Sequence, residues 1–443
     1  MTSTVLSASA LSSRRYFGIL TGASSGLLAR GLAVAMSLLA VNAVLPYLGP
    51  AKFGAWAVIT TFQLWLQLAD FGIPAGMNNR LAVAIAEGDA RDARRVVFTS
   101  TVLVACAAAL VFIVCAAALS FGWTERVVEL GSPAEMRDFE RALLAGIGIT
   151  LAGLPNAVVT RALAIQHRAY VANFWMSIGQ AGAIAGLLLG ARWHLDLRQL
   201  TLLTTGAVTS SALCCVAFFF WSQPRYRPVT GDFVLRAIRS FASASLSYSS
   251  LQLAGMLLLN SAIFIVSAAL SPVSAAVFAA TSRLTSICTL VTQLASPYFW
   301  AAYSDALIRH DHRWLRQAFF RHLAASLGTT LLLGILLVAW GPAAIRWWSS
   351  DAIVPDLALL YWLVAWQLVI ATMNPIGALL VAHERYWLQT VTSMGAGILG
   401  AAAGYAIAPQ LGPAGVVAAA TISYLLVVVV PIARETRALL TLR

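Results

Sequence analysis

The stretch YWLQTVTSMGAGILGAAAGYAIAPQLGPAGVVAAATISYLLVVVVPIA, residues 386–433, runs for 48 residues without an Asp, Glu, Lys or Arg. As α-helix it would measure roughly 72 Å, against a bilayer hydrocarbon core of about 30 Å. One span cannot use that length, whereas two can, and Pro409 to Pro413 supplies a turn between them. The rest of the chain has the same character. Of its 443 residues 60% are hydrophobic and only 10% charged, with a mean hydropathy of +0.81. A soluble domain carries about 25% charged residues, so this chain lacks the polar surface to face water and is expected to reside in a lipid bilayer.

Charge-poor runs cut at Gly, Pro and charged clusters give twelve expected spans, near 18–47, 53–75, 96–122, 142–166, 169–191, 199–222, 242–270, 273–303, 322–341, 356–382, 387–408 and 414–433. The turns at Pro46 to Lys52, Ser271-Pro272 and Pro409 to Pro413 are short enough to make the flanking spans antiparallel neighbours on one side of the membrane. The predicted fold is all-α: a polytopic membrane protein of about twelve transmembrane helices in two six-helix lobes. Internal matches support a duplication. Leu48-Gly49-Pro50 corresponds to Leu270-Ser271-Pro272, and Pro155 to Pro375, at offsets of 222 and 220 residues. Residues 1–222 are thus assigned to an N-terminal lobe, 223–240 to a cytoplasmic linker and 241–443 to a C-terminal lobe.

The formal charge of +12 comes from 28 arginines and Lys52. In a soluble protein that balance would point to nucleic acid, but here 20 basic residues fall on one side of the expected membrane and 7 on the other. The positive-inside rule then places both termini in the cytoplasm, and no nucleic-acid partner is needed. The five cysteines, Cys106, Cys115, Cys214, Cys215 and Cys288, sit inside apolar runs and read as small core residues. Ser13-Arg14-Arg15-Tyr16-Phe17 resembles a twin-arginine export signal, but Arg30 interrupts the run that follows, so the stretch reads as an anchor for span 1. Gly395-Ala396-Gly397-Ile398-Leu399-Gly400 has dinucleotide-fingerprint spacing without a preceding strand, and reads as small residues for close helix packing.

No catalytic constellation or cofactor site emerges. The six histidines fall in loops or at span ends, and the His310/His312 pair is surrounded by arginines. The acids of the outer loop from Trp123 to Arg141 read as solvated surface. Charges inside spans are costly and informative. Arg30 lies about 12 residues into span 1, roughly 18 Å deep, and Arg283 about 10 residues into span 8, roughly 15 Å deep. Asp70 sits at the inner end of span 2, where a structural contact, with Arg80 for example, competes with a functional role. Gln63, Gln67 and Asp70 form a stripe at i, i+4 and i+7. Ser245, Ser249 and Gln252 mark span 7, and Ser282, Ser286, Thr289 and Gln293 accompany Arg283 in span 8. These stripes line a cavity between the two halves or simply hydrogen-bond helix to helix. Two deep arginines against one shallow carboxylate give a cationic lumen, suited to phosphate or diphosphate.

Leu45-Pro46-Tyr47-Leu48-Gly49-Pro50, Phe53-Gly54-Ala55-Trp56, Leu68-Ala69-Asp70-Phe71-Gly72, Arg80 and Glu87-Gly88-Asp89, with Arg283-Leu284 and Arg385-Tyr386 further on, form a diffuse pattern. It resembles the polysaccharide transporters, the O-antigen and exopolysaccharide flippases of the multidrug/oligosaccharidyl-lipid/polysaccharide flippase superfamily. The resemblance implies a two-lobed bundle that alternates between inward- and outward-open states in the bacterial inner membrane. The implied cargo is an undecaprenyl-diphosphate-linked oligosaccharide, moved from the cytoplasmic to the periplasmic leaflet, with other polysaccharide assembly proteins as partners. The expected substrate-binding residues are Arg30, Arg283, Gln63, Gln67, Asp70, Gln252 and Gln293. The alternatives are a multidrug cation antiporter of the same superfamily, which would want acids in its cavity, and a membrane glycosyltransferase or polymerase, which would want paired acids in a large outer loop.

Overall fold

The computed structural model describes residues 8–227, 229, 245–246, 249–250, 252–254, 256–257, 260–308, 310–349, 351–354, 356–383 and 386–441. No strand occurs among the described residues, and nine helices there are long and apolar enough to cross a membrane. Two of the nine carry two expected spans each. The first helix, α1 (Ala8–Trp65), has 58 residues but is broken at Gly49, whose φ of 76° and ψ of 165° are not helical. The helix α14 (Tyr386–Tyr424) is broken in the same way at Gly412, φ 62° and ψ −158°, between Pro409 and Pro413. An L-residue with a Cβ rarely adopts such a φ, so glycine permits each reversal while the adjacent prolines deny the helix its next amide. The long uncharged run at 386–433 is two helices, as its length requires.

Between these hairpins the chain forms α2 (Ile73–Gly76), α3 (Asn78–Ala86), α4 (Ala90–Leu119), α5 (Pro133–Gly153), α6 (Asn156–Ile165), α7 (Ala169–Trp193) and α8 (Leu197–Ser222). The second half has α9 (Ala262–Ala269), α10 (Pro272–Thr285), α11 (Ile287–Ile308), α12 (His312–Trp348) and α13 (Leu357–Ala382), with α15 (Val430–Thr441) following a π turn at Leu425–Val429. Span boundaries shift where hydroxyls and caps intervene. Span 4, expected from 142, begins at Pro133 and breaks at Leu154-Pro155. Span 8 divides at Ser286, where the Ser282, Thr285 and Ser286 hydroxyls each donate to a carbonyl three or four residues back. Such back-bonding loosens the backbone ladder. Span 9 starts ten residues early because Asp311 caps α12, accepting the Trp314 amide at 3.0 Å. Most of the linker expected at 223–240 lies outside the described residues, as do Glu384 and Arg385.

Residues 1–40, 62–122 and 137–249 cluster as one compact unit, and residues 41–61, 123–136 and 250–443 as a second. Residues 41–61, on either side of Gly49, and residues 123–136 therefore belong with the second unit. In the first unit α7 lies along α8, with Gly179 and Gly182 facing Val208 and Ala207, close approaches that small residues allow. The contact expected between Asp70 and Arg80 is replaced by another. Arg80 pairs with Asp92 near the start of α4, Nη2 to Oδ1 at 2.9 Å, and Asp70 turns to a backbone amide instead.

In the second unit α13 is the central helix, packed against α11, α12 and α14. Pro375 removes the amide that would bond the Ala371 carbonyl, and the Ser326 hydroxyl of α12 donates to that carbonyl at 2.7 Å. Gly400 and Gly404 of α14 rest against Ala420 and Val416, which is the packing role read for the glycine-rich stretch. Two expectations are corrected here. Cys215 and Cys288 are buried, but Cys106 and Cys214 are exposed, because a span's outer face meets membrane and tolerates the same apolar residues as the core. His322 is not a span-end residue: the early start of α12 leaves it 3% exposed, stacked on Phe299 and hydrogen-bonded through Nδ1 to Tyr303 Oη at 3.0 Å. Outward faces are apolar, as Leu110, Ile113 and Val114 of α4 illustrate, each 58% to 63% exposed. Water would not tolerate that surface, and a bilayer requires it.

Candidate functional site

Arg283 stands in the last turn of α10, just before the hydroxyl-rich break at Ser286. Its guanidinium carbon lies 5.5 Å from the centroid of the Phe53 ring and 5.7 Å from that of Trp56. Both rings are buried, and their spacing at i and i+3 sets them side by side on the second arm of α1, 5.9 Å apart. Gly54 makes this arrangement possible. A Cβ built there would lie 1.8 Å from the Pro272 carbonyl oxygen, so only glycine lets the arm rest on the start of α10. Ser271 fixes that start by accepting the Ser274 amide at 3.1 Å, with Pro272 in the first helical turn.

The cluster is rich in donors and poor in acceptors. Arg283 Nη1 and Trp56 Nε1 are both buried and make no hydrogen bond, and Arg283 has no ion-pair partner among the described residues. Aromatic faces stabilise a guanidinium by about 2 kcal/mol when desolvated, but they accept no hydrogen bond in its plane. Such donors call for an acceptor, which an oxyanion supplies and a second cation does not.

The polar stripe on α11 forms a chain in which Gln293 Nε2 donates to Thr289 Oγ1 at 3.2 Å and Thr289 Oγ1 donates to Gln367 Oε1 at 2.7 Å. Gln293 is exposed at one end and Gln367 buried at the other. Gln252 is half-buried. In the first unit Gln63 Nε2 donates to Thr205 Oγ1 of α8 at 3.0 Å, an interhelical bond, while Gln67 is exposed. Arg30 is exposed on α1, near exposed Leu27 and Leu28. Asp70 ends the helical run structurally. Its Oδ1 accepts the Gly72 amide at 2.7 Å, Phe71 and Gly72 turn through left-handed conformations, and α2 begins immediately after. The structure thus assembles Arg283 with Phe53 and Trp56, and Gln293 with Thr289 and Gln367. It places Asp70 in a turn and Gln63 in a helix contact. Phe53, Trp56 and Gln367 are not among the residues the sequence assigns to a site. The Phe53-Gly54-x-Trp56 spacing carries that signal for the first two, whereas nothing marks Gln367 except its being an amide inside an apolar span.

No protein-family model matches the sequence, and comparison with curated proteins finds no match. Solved structures do match. An inward-facing multidrug resistance MATE family transporter of the MOP superfamily aligns with a TM-score of 0.71 at 15% identity, over 94% of each chain. The lipid II flippase MurJ in an inward closed conformation aligns at 0.69 and 13% identity, over 93% of this chain and 87% of that one. A MOP superfamily transporter from Pyrococcus furiosus, described as having a binding pocket of reverse polarity that suggests a different function, aligns at 0.65 and 14% identity, over 96% and 95%. At these identities the shared property is the fold, and the chain therefore has the all-helical fold of the MATE and MurJ transporters.

Proposed function

We propose that the protein is a flippase that carries an undecaprenyl-diphosphate-linked oligosaccharide, an O-antigen or exopolysaccharide repeat unit, across the bacterial inner membrane. The cargo moves from the cytoplasmic to the periplasmic leaflet by alternating access, and both termini face the cytoplasm. The observation that carries this reading is the donor-rich Arg283 cluster. Arg283 and Trp56 hold the diphosphate, and Gln252 and Gln293 meet the sugars from the same unit. Of the residues assigned from the sequence in the first unit, exposed Arg30 and Gln67 are free to meet cargo, while Gln63 and Asp70 hold a helix contact and a turn. The fold comparisons support a transporter of either kind, a lipid flippase or a multidrug cation antiporter, and the sign of the Arg283 site favours the flippase.

The test is a deletion strain complemented with variants. Loss of the protein should leave lipid-linked oligosaccharide accumulating on the cytoplasmic face. Arg283→Ala should abolish export at unchanged protein level, and Arg283→Lys should restore only part of it, because a point charge replaces a planar fork. Normal surface polysaccharide in the alanine variant would remove the site assignment.

A further inference from the structure

The lipid-facing side of α12 changes character along its length. Positions 313, 316, 317, 320, 321, 324, 328, 331, 332 and 335 recur at helical spacing and every one is exposed. The far part of this face is Leu331, Leu332 and Ile335, each 50% to 60% exposed, which only hydrocarbon suits. The near part is Arg313, Arg316, Gln317, Phe320 and Arg321, with exposed Trp314 at its edge. Phe320 to Trp340 spans about 30 Å of helix, the thickness of the hydrocarbon core. That length sets Arg321 at the boundary, with Arg316 and Arg313 about 8 and 12 Å farther out, in the layer where headgroup phosphates lie. None of the three forms an ion pair among the described residues, and the nearest acid along the helix, Asp311, is occupied with the Trp314 amide.

We infer that this basic end of α12 is a binding surface for anionic phospholipid headgroups. Three guanidiniums on one face at headgroup depth, above an apolar stripe that receives the acyl chains, complement an anionic lipid in both charge and polarity. Trp314 and Phe320 add the aromatic rings that favour an interface. This surface is independent of the cargo site.

The test uses the full-length protein in detergent, incubated with equal amounts of phosphatidylglycerol and phosphatidylcholine in mixed micelles, with co-eluting lipid quantified by mass spectrometry. The wild type should retain phosphatidylglycerol preferentially. The triple variant Arg313→Gln, Arg316→Gln, Arg321→Gln should lose about fivefold of that preference per guanidinium, and the triple Lys variant should keep most of it. Salt supplies a readout that needs no variant: raising NaCl from about 0.1 to about 1 M shortens the screening length from about 10 to about 3 Å and should erase the preference. A wild type without preference, a Gln variant that keeps it, or a preference untouched by salt would overturn the inference. Displacement of the bound lipid by inorganic phosphate, at an ionic strength where NaCl does not displace it, would mark a small-anion site and overturn it as well.

Discussion

Gly54→Ala adds one methyl group where the structure has no room for it. The new Cβ would lie 1.8 Å from the Pro272 carbonyl oxygen, 2.7 Å from the Pro272 carbonyl carbon and 3.2 Å from the Ala276 nitrogen, all backbone atoms that cannot rotate away. A carbon against a carbonyl oxygen needs about 3.3 Å, so the second arm of α1 and the start of α10 must part by about 1.5 Å. Helix propensity works in the other direction, since alanine for glycine gains about 0.5–1 kcal/mol. Overpacking costs typically about 1–3 kcal/mol and more where backbone must move, so a net loss is expected. Gly206→Ala is the control, because its Cβ meets nothing within 4 Å and should stabilise by the propensity term alone. In a background with Cys106, Cys115 and Cys214 replaced by alanine, unfolding in detergent can be followed by a thiol-reactive dye, which reaches the buried Cys215 and Cys288 only when packing fails. Separation of the arm also carries Phe53 and Trp56 away from Arg283, so export should fall with stability. A Gly54→Ala protein that is as stable as Gly206→Ala would refute the contact and the placement of the aromatic pair that depends on it.

Two other predictions concern side chains that hydrogen-bond to backbone groups. Ser326→Ala should cost about 1–3 kcal/mol by stranding the Ala371 carbonyl, but much less in a Pro375→Ala background, where the restored amide can take that carbonyl; an additive double-mutant cycle would contradict the assignment. Asp70→Asn keeps an oxygen for the Gly72 amide and should leave export intact, whereas Asp70→Ala should lower stability by about 1 kcal/mol; loss of export in a well-folded Asn variant would instead show that the charge is needed.

Much of this architecture is legible in the sequence because a bilayer imposes lengths. The 48-residue uncharged run at 386–433 has to reverse, and it does so at Gly412 between the two prolines that mark the turn. The first hairpin is legible for the same reason. Arg283 stands out as a charge within a span, since burying it is expensive enough to demand an explanation. What surrounds it is less legible. Phe53 and Trp56 arrive from a helix more than 200 residues earlier, and in an apolar span two aromatic residues are ordinary until a partner is found. His322 is misplaced by a hydrophobicity count, which starts span 9 where the apolar residues begin, while the helix starts at its Asp311 cap. The polar stripes show a third limit. Spacing reveals that Gln63 and Gln293 lie on helix faces, but whether an amide meets another helix, as Gln63 meets Thr205, depends on tertiary contacts.

Within the proposed function, the choice between lipid flippase and cation antiporter reduces to the sign of one charge. At an effective dielectric constant of about 20, a monovalent ion some 5 Å from the Arg283 guanidinium gains or loses about 3 kcal/mol, according to its sign. Anion and cation are thus separated by about 6 kcal/mol at this position, roughly four orders of magnitude in affinity before compensation elsewhere. Removing the charge should therefore have opposite effects on the two classes. In vesicles containing the full-length protein, Arg283→Ala should weaken retention of a diphosphate-bearing lipid and leave a lipophilic cation bound as well as before or better. If the variant instead lost the cation while keeping the diphosphate lipid, the orphaned donors of Arg283 and Trp56 would belong to packing alone, and the antiporter reading would gain what the flippase reading loses.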